Sequence, residues 1–314
     1  MNRTLFNQIV IGVDIGGSHI TCMGVDLAKR ILLPDFTGRK HVDCHDTADN
    51  ILTRWAECLN EVIRQLPQNT FHGIGFAMPG PFDYPSGLAQ FKGVMKYDHL
   101  YNVHVRDEIR KRLSLPDAIP VRFLNDATCF AIGEAWMGPV ATFHRTVAIT
   151  LGTGFGSSFL EDGIPVEEGD EVPESGCVYH LPFGNSNADD HFSSRWFKRT
   201  YEDRLSRSSP GVKEMSEEAL SDPAVHAIFT EFGQNLGNFM APWLVRFRAD
   251  CITIGGNISK GYSLFETPFR QALRSHNCET EVFLSTLGEY AAIAGSARLT
   301  DDSFYLKLPF ISNK

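Results

Sequence analysis

The sequence predicts an α/β protein built from two domains of similar design. Its 314 residues exceed what one simple hydrophobic core usually holds, and a hydrophobic content of 43% can fill large cores. An apolar strand, a glycine-rich turn and a second apolar strand occur twice, each time ahead of alternating strands and helices. Gly16 and Gly154 lie 138 residues apart in these two units, as do Val13 and Leu151, which indicates an internal duplication.

Composition limits the classes of partner. The net charge of -9 argues against a nucleic-acid or anionic-membrane partner, because either would favour a basic surface. No apolar run approaches the roughly 18 residues of a membrane span, and the first residues lack the apolar core of a signal peptide. The seven cysteines are scattered and form no CxxC or CxC motif, which indicates reduced thiols. We therefore expect a cytoplasmic protein with small-molecule ligands.

The first strand–turn–strand unit spans residues 9–25 and has an acid beside its glycines. Gly16 and Gly17 permit a tight turn and let backbone N–H groups approach a ligand closely. Asp14 could hold a hydrated divalent cation that bridges to a phosphate. An ordinary glycine hairpin with a solvated aspartate fits the same residues, since short glycine motifs are common.

Strands and helices alternate through the remainder of the first half. Apolar residues at helical spacing from Ile51 to Leu66 predict a helix that Thr47 or Asp49 can cap. The predicted elements are an edge strand over 30–36, a helix over 47–66, a buried strand that runs into a Pro/Gly loop over 72–81, a loop-rich binding region over 82–101, a helix over 103–113, a strand over 121–126 and a helix over 127–136.

Asn125 and Asp126 stand where the strand over 121–126 meets the following helix. The carboxyl end of a strand next to a helix N-terminus is a favourable place for an acid or an anion-handling group. Asp126 also fits a plain helix N-cap, which is a common role for aspartate at this position.

The second half begins with the unit over 146–160 and its turn at Glu161-Asp162-Gly163. We expect Pro242 to kink or split the long helix that contains it, and the small residues near Ala294 to allow close helix packing. The predicted elements are an irregular segment over 164–210 with a helix over 195–204, a helix over 225–247, a buried strand over 251–258, a helix over 264–274, a strand over 282–284 and a small-residue helix over 288–299. We expect residues 1–122 and 286–314 to form one domain and residues 123–285 the other.

Five short motifs in this order resemble the ROK family of sugar kinases, within the superfamily of actin, hexokinase and the heat-shock ATPases. They are Asp14-Ile-Gly-Gly-Ser, Asn125-Asp126, Leu151-Gly-Thr-Gly-Phe-Gly, Ile254-Gly-Gly-Asn and Ala294-Gly-Ser-Ala. The resemblance covers nearly the whole chain. It implies two ribonuclease-H-like (actin-like ATPase) domains that flank a central cleft, and ATP-dependent, Mg²⁺-assisted phosphorylation of a hexose or hexose derivative. It also implies a possible homodimer.

The resemblance also implies roles for individual residues. Asp14, Gly16, Gly17 and Ser18 match the first phosphate loop, with Asp14 near Mg²⁺ through water. Gly152, Thr153, Gly154 and Gly156 match the second phosphate loop, and Gly255, Gly256 and Asn257 match the glycines beside the nucleoside. Asn125 matches a ligand of a sugar hydroxyl, and Asp126 matches the general base.

The sugar end of the chain departs from the family pattern. Cys177 stands where the family has a sugar-contacting glutamate, while His180 falls on the family histidine and is either a sugar ligand or a structural residue. Glu174, Asp189 and Asp190 are candidates to replace the glutamate, and each also fits a solvated loop carboxylate. The zinc-binding CxCGxxGC cluster of the family is missing, so we expect no zinc.

Two loops of the first domain depart as well. Ser18-His19 replaces the Thr-Lys of the family. In the region where relatives offer an Asn before a Trp, this chain has Lys92, Lys96 and Asp98, which are candidates for substrate contact or for surface ion pairs. This pattern points to no particular sugar.

The residues favour an enzyme and leave a sugar-binding sensor or regulator as the alternative. Family members that act as repressors carry an N-terminal helix-turn-helix, whereas eight residues precede Ile9 here, too few for such a domain. Asp126 favours the kinase, and the altered region around Cys177 favours the sensor.

Overall fold

The computed structural model describes residues 8–94 and 96–312 and divides into two compact units. The first unit comprises the described residues up to Gly138 and from Glu289 onward, and the second runs from Pro139 to Gly288. The division expected after residue 122 falls inside the strand Val121–Asn125, which pairs with the sheet of the first unit. This strand therefore belongs to the first unit, and the boundary between the two units lies after Gly138.

The first unit contains a five-stranded sheet, a short hairpin and six helices among its described residues. Its elements, numbered in chain order over the whole protein, are strands β1 Ile9–Ile15, β2 His19–Asp26, β3 Ile31–His41, β4 Phe71–Met78, β5 Phe82–Asp83, β6 Leu88–Ala89 and β7 Val121–Asn125, and helices α1 Ala48–Gln65, α2 Val105–Leu113, α3 Asp126–Met137, α9 Tyr290–Arg298, α10 Asp302–Tyr305 and α11 Pro309–Ser312.

The second unit repeats this plan with its own five-stranded sheet. Its strands are β8 Arg145–Leu151, β9 Phe155–Glu161, β10 Ile164–Pro165, β11 Pro182–Phe183, β12 Ser186–Asn187, β13 Cys251–Gly255 and β14 Glu281–Leu284, and its helices are α4 Ala188–His191, α5 Ser194–Leu205, α6 Val212–Glu218, α7 Pro223–Phe247 and α8 Glu266–Ser275.

The two main sheets have corresponding topologies. The strand order is β3-β2-β1-β4-β7 in the first unit and β10-β9-β8-β13-β14 in the second. In each sheet the glycine hairpin forms an antiparallel pair, and two further strands join parallel to its first strand. This pattern confirms the predicted α/β fold class and explains the internal repeat.

Most of the predicted elements are present, and the structure adds short elements that were not predicted, such as α6. Helix α1 begins after Thr47, whose side chain accepts a hydrogen bond from the Asn50 N–H, and buries its predicted apolar face. The edge strand β3 is longer than predicted and extends to His41. The strand β13 ends at Gly255, before the predicted residue 258. Of the kink or split predicted at Pro242, the split is wrong, because α7 continues through this residue.

Helix α9 packs against β1, β4 and α3 with almost no space between the backbones. A Cβ added at Gly75 on β4 would lie 1.7 Å from the Ser296 carbonyl oxygen, and one added at Gly12 on β1 would lie 2.1 Å from the Ile293 carbonyl oxygen. The Ser296 hydroxyl accepts a 3.0 Å hydrogen bond from the Val13 N–H. The small residues of α9 therefore allow the predicted close packing and fix the strand that carries Asp14.

Among the described residues, no helix has both the length and the apolar character that a membrane span requires.

We expect Gly75→Ala to lower the free energy of unfolding by roughly 3 kcal/mol, since the new methyl group would overlap backbone atoms of α9 that cannot move independently. Gly16→Ala is the matched control in the same unit. The atom nearest to a Cβ there, apart from the adjoining residues, is the His19 carbonyl oxygen at 3.5 Å, which is an ordinary contact distance. Urea unfolding of the purified variants measures both changes. Equal stability of the two variants would contradict the account of this packing.

Candidate active site

Asp14 lies near the carboxyl end of β1, two residues before the first glycine of the turn. It lies opposite Thr21 of β2 and beside Ala77 of β4, so two neighbouring strands hold its backbone in place. Its side chain is partly buried, whereas Gly16, Gly17 and Ser18 are exposed at the tip. The sheet thus presents one carboxylate at the base of an open glycine turn.

Asn125 and Asp126 lie at the junction of β7 and α3. The Asn125 side chain caps the helix, since its Oδ1 accepts a 3.1 Å hydrogen bond from the Thr128 N–H. The Asp126 Oδ1 accepts a 2.8 Å hydrogen bond from the Ala127 N–H. The helix cap that the sequence suggested for Asp126 therefore belongs to Asn125, and Asp126 is the first residue of the helix.

The structure brings Asp14 and Asp126 close enough to interact electrostatically. Burial, followed by the charges of Asp126 and Glu289, raises the pKa of Asp14 to about 7 against an opposing effect of Arg39. Burial also raises the pKa of Asp126, although hydrogen bonds from the Ala127 and Asp126 backbone and the charge of Lys96 act in the opposite direction. Two carboxylates with raised pKa values at one place are typical of a catalytic site.

A cavity of about 200 Å³ adjoins the glycine turn of the first unit. It is large enough for a phosphate group with water. Its lining combines two carboxylates, two hydroxyls, an imidazole and a guanidinium with exposed turn backbone: Asp14, Gly16, Ser18, His19, Thr21, Arg39 and Glu289. Arg39 and Glu289 form an exposed ion pair of 3.6 Å across its rim, which contributes little to stability.

Tyr97 fastens a distant loop to this turn and was missed by sequence reasoning. Its buried phenol donates a 2.6 Å hydrogen bond to the Gly16 carbonyl oxygen, 81 residues away. Its ring also packs edge-on against Trp55, with 5.5 Å between the ring centroids. The only signal in the sequence was its place beside the candidate lysines, because a contact over this separation leaves no local pattern.

The second glycine loop, between β8 and β9, is held by side chains that follow it in the chain. Asp189 accepts a 2.7 Å hydrogen bond from the Phe155 N–H and forms an ion pair with Arg195. Arg195 also donates a 3.2 Å hydrogen bond to the Thr153 carbonyl oxygen. These contacts give Asp189 a structural partner, so it is not a free replacement for the missing glutamate, and they leave Gly152, Thr153 and Gly154 in a defined turn.

Gly255 ends β13, and Gly256 and Asn257 follow it beside the same loop. Gly256 has φ of +86°, and a Cβ there would lie 2.3 Å from the Leu151 carbonyl oxygen. Only glycine fits this close approach without strain. The Asn257 Oδ1 accepts a 2.8 Å hydrogen bond from Lys260 Nζ, and both Gly256 and Asn257 are exposed.

Cys177, His180 and Glu174 lie together on the irregular segment of the second unit. The Cys177 Sγ lies 3.9 Å from His180 Nδ1 and 3.7 Å from the Glu174 carbonyl oxygen. Burial, followed by the charges of Glu167 and Glu174, raises the pKa of Cys177 to about 11, so it is a neutral thiol near pH 7. Glu167 is thus a second carboxylate near Cys177 that sequence reasoning did not consider.

Within residues 8–94 and 96–312, no group of three or more His, Cys, Asp and Glu side chains is arranged to hold a metal ion. The donor set at Asp14 nevertheless suits Mg²⁺ delivered with a phosphate. A hydrated Mg²⁺ commonly takes one or two carboxylates and completes its shell with water and phosphate oxygens. A cation there would also relieve the repulsion between Asp14 and Asp126.

The sequence profile of the ROK family matches residues 10–303. The chain therefore belongs to the ROK family, and the family predicted from the five motifs is confirmed.

Similarity to characterised relatives extends over almost the full length. The chain is 25% identical over 321 residues to a glucokinase of Thermotoga maritima, which covers 92% of this chain and 96% of the relative. It is 27% identical over 323 residues to an N-acetyl-D-glucosamine kinase of Haemophilus influenzae, with 92% and 98% covered. The crystal structure of a ROK family glucokinase from Streptomyces griseus with glucose and AMPPNP shares the fold, with a TM-score of 0.73 and 22% identity over 93% of this chain and 98% of that chain.

The raised pKa of Asp14 predicts a specific pH dependence of stability. Between the ordinary pKa of 3.8 and about 7, the folded protein holds a proton at Asp14 that the unfolded chain has lost. The contribution of Asp14 to the free energy of unfolding therefore falls as pH rises through this window. We expect Asp14→Asn to melt at a higher temperature than wild type at pH 8, with a smaller difference at pH 4.

Calorimetric melting of both proteins across this pH range tests the sign. Added Mg²⁺ should raise the melting temperature of wild type at pH 8 more than that of Asp14→Asn. A difference between the proteins that grows toward acid pH would contradict the assignment.

The contacts of Asp189 with Phe155 and Arg195 should hold the second glycine loop in its observed shape. We expect Asp189→Ala to weaken MgADP binding by about tenfold, because loss of a charge-assisted hydrogen bond of roughly 1.5 kcal/mol frees the loop. Asp203→Ala on α5 removes a carboxylate from the same unit and should bind MgADP normally. Titration calorimetry measures both affinities. Equal affinities of the two variants would show that Asp189 does not support nucleotide binding by the second glycine loop.

Proposed function

We propose that this ROK family protein is an ATP-dependent kinase of a hexose or hexose derivative, with Asp126 as the general base. The observation that carries this proposal is the pair of partly buried carboxylates, Asp14 and Asp126, with raised pKa values beside an exposed glycine turn. Two relatives that each match 92% of the chain are named as a glucokinase and an N-acetyl-D-glucosamine kinase, which supports a sugar as the acceptor.

The proposed reaction uses Asp126 to accept the proton of a sugar hydroxyl. The hydroxyl oxygen attacks the γ-phosphorus of ATP, the bond to the β-phosphate oxygen breaks, and a sugar phosphate and ADP form. A carboxylate with a raised pKa is a stronger base than an ordinary aspartate, which favours this transfer near neutral pH. The hydrogen bond from the Ala127 N–H orients the Asp126 carboxylate.

Asp14 would hold the Mg²⁺ that accompanies ATP, through water, and the metal would neutralise charge on the phosphates. Gly17 and Ser18 are exposed at the turn, and their backbone N–H groups are suited to phosphate oxygens. The Gly16 N–H instead donates a 2.9 Å hydrogen bond to the His19 carbonyl oxygen, so Gly16 would contribute through the shape of the turn. In the second unit, Gly152, Thr153 and Gly154 would bind phosphate, and Gly255, Gly256 and Asn257 would lie beside the nucleoside.

Asn125, Glu174 and His180 are the proposed sugar ligands. The Asn125 Oδ1 is engaged in the helix cap, and its Nδ2 donates a 3.4 Å hydrogen bond to the Tyr84 hydroxyl. The second N–H of the amide is therefore the donor that can face a sugar hydroxyl. The neutral Cys177 thiol cannot accept a hydrogen bond as strongly as a carboxylate. A preference for a sugar other than glucose is consistent with this replacement.

We expect Asp126→Asn to lower kcat by roughly 10²- to 10⁴-fold, the range for loss of a general base. Asparagine keeps the acceptor for the Ala127 N–H, so the fold should survive. Release of ADP, coupled to a chromogenic enzyme, measures turnover on glucose, mannose, N-acetylglucosamine and N-acetylmannosamine.

Asp117→Asn removes an exposed carboxylate of the same unit and should keep wild-type kcat. A wild type that phosphorylates no sugar, or a fully active Asp126→Asn, would refute the proposed kinase. Sugar binding in calorimetry without any turnover would instead identify a sensor on the same fold.

A further inference from the structure

Tyr97 holds the residue before it at the tip of the first glycine turn. Tyr97 has a left-handed backbone with φ of 58° and is fully buried. Its N–H donates a 2.9 Å hydrogen bond to the Cys44 carbonyl oxygen, and its phenol donates to the Gly16 carbonyl oxygen at 2.6 Å. With backbone and side chain both fastened, the position of Lys96 is set by packing rather than by a free loop.

Lys96 extends over the glycine turn. Its Cε and Nζ lie 3.4 and 3.6 Å from the point that a Cβ on Gly17 would occupy. Its charge also reaches Asp126, whose pKa it lowers against the larger effect of burial. One exposed ammonium group is therefore close to the turn proposed to bind phosphate and acts on the residue proposed to accept the proton.

The other charged residues of this loop have different contacts. The Lys92 ammonium lies over the Tyr101 ring, 5.4 Å from its centroid. The Asp98 Oδ1 accepts a 2.9 Å hydrogen bond from the Gly93 N–H. Of the three candidates that the sequence offered, Lys96 is thus the one that the structure directs to the glycine turn.

The charges around the first glycine turn favour a cation such as Lys96. Asp14, Asp126 and Glu289 raise the negative potential at this place, and Arg39 is already paired with Glu289. A phosphoryl group that approaches Asp126 would meet this potential, so a mobile cation beside the turn would be worth more here than at an ordinary surface.

We propose that Lys96 contacts the transferred γ-phosphoryl group and holds it between the glycine turn and Asp126. This inference rests on the proposed kinase function and adds a catalytic residue to it. The ammonium group would donate hydrogen bonds to the equatorial oxygens, whose charge must be neutralised as the phosphoryl group moves from ATP to the sugar and ADP leaves. A lysine is suited to this motion because its donors rotate on a flexible stem.

The test compares Lys96→Met, Lys96→Arg and the exposed control Lys111→Met with wild type. We expect Lys96→Met to weaken MgAMPPNP binding by about tenfold, as for loss of one hydrogen bond to a charged group, while MgADP binding stays within about twofold because ADP lacks the γ-phosphate. We also expect kcat to fall by about 10²-fold, with partial recovery in Lys96→Arg. Titration calorimetry and coupled ADP release measure these quantities.

The binding and turnover results separate this inference from the proposed function. A wild type without sugar turnover whose AMPPNP affinity falls in Lys96→Met would refute the kinase and support the γ-phosphate contact. An active wild type with Lys96→Met unchanged in both assays would overturn the inference alone. Weaker sugar binding with unchanged kcat would also overturn it, and a wild type that binds neither nucleotide would overturn both.

Discussion

The close approach of helix α9 to β1 and β4 is the constraint on which the first unit depends. Carbonyl groups of α9 lie where side chains would normally stand, so Gly12 and Gly75 have no substitute that preserves the sheet. The Ser296 hydroxyl also bonds the Val13 N–H, one residue before Asp14. Helix α9, near the end of the sequence, therefore fixes the position of strand β1, which carries Asp14. Weaker packing of α9 would displace the Asp14 carboxylate.

Electrostatic strain at the site follows from this rigidity. Asp14 and Asp126 come from β1 and from the start of α3, and α9 packs against both of these elements. Burial is the main cause of both raised pKa values, and at Asp14 the charge of Asp126 adds to it. The folded protein thus maintains a site that favours a cation or a proton. Such a loss of stability is typical of functional sites, where the fold keeps ionisable groups at pKa values far from those in water.

Much of the fold was predictable because it rests on local patterns. Strand–glycine–strand units and helical spacing identify both sheets and most helices, and the five motifs identify the family. The contacts that define the site were harder to foresee. Tyr97 and Gly16, or Asp189 and Phe155, meet only through the tertiary fold, and no periodicity marks them. The boundary at residue 138 was missed for the same reason, since pairing of β7 with β4 is not visible in either strand alone.

The elevated pKa of Asp14 has a thermodynamic consequence for ligand uptake. Near neutral pH part of the population carries a proton on this carboxylate, and the proposed Mg²⁺, which favours the ionised form, would compete with that proton. Under the proposed function, binding of the metal with its nucleotide would therefore release a proton rather than be a simple association. The heat measured on binding would include the ionisation enthalpy of the buffer, and acidification of the surroundings would weaken uptake without any change in the shape of the site.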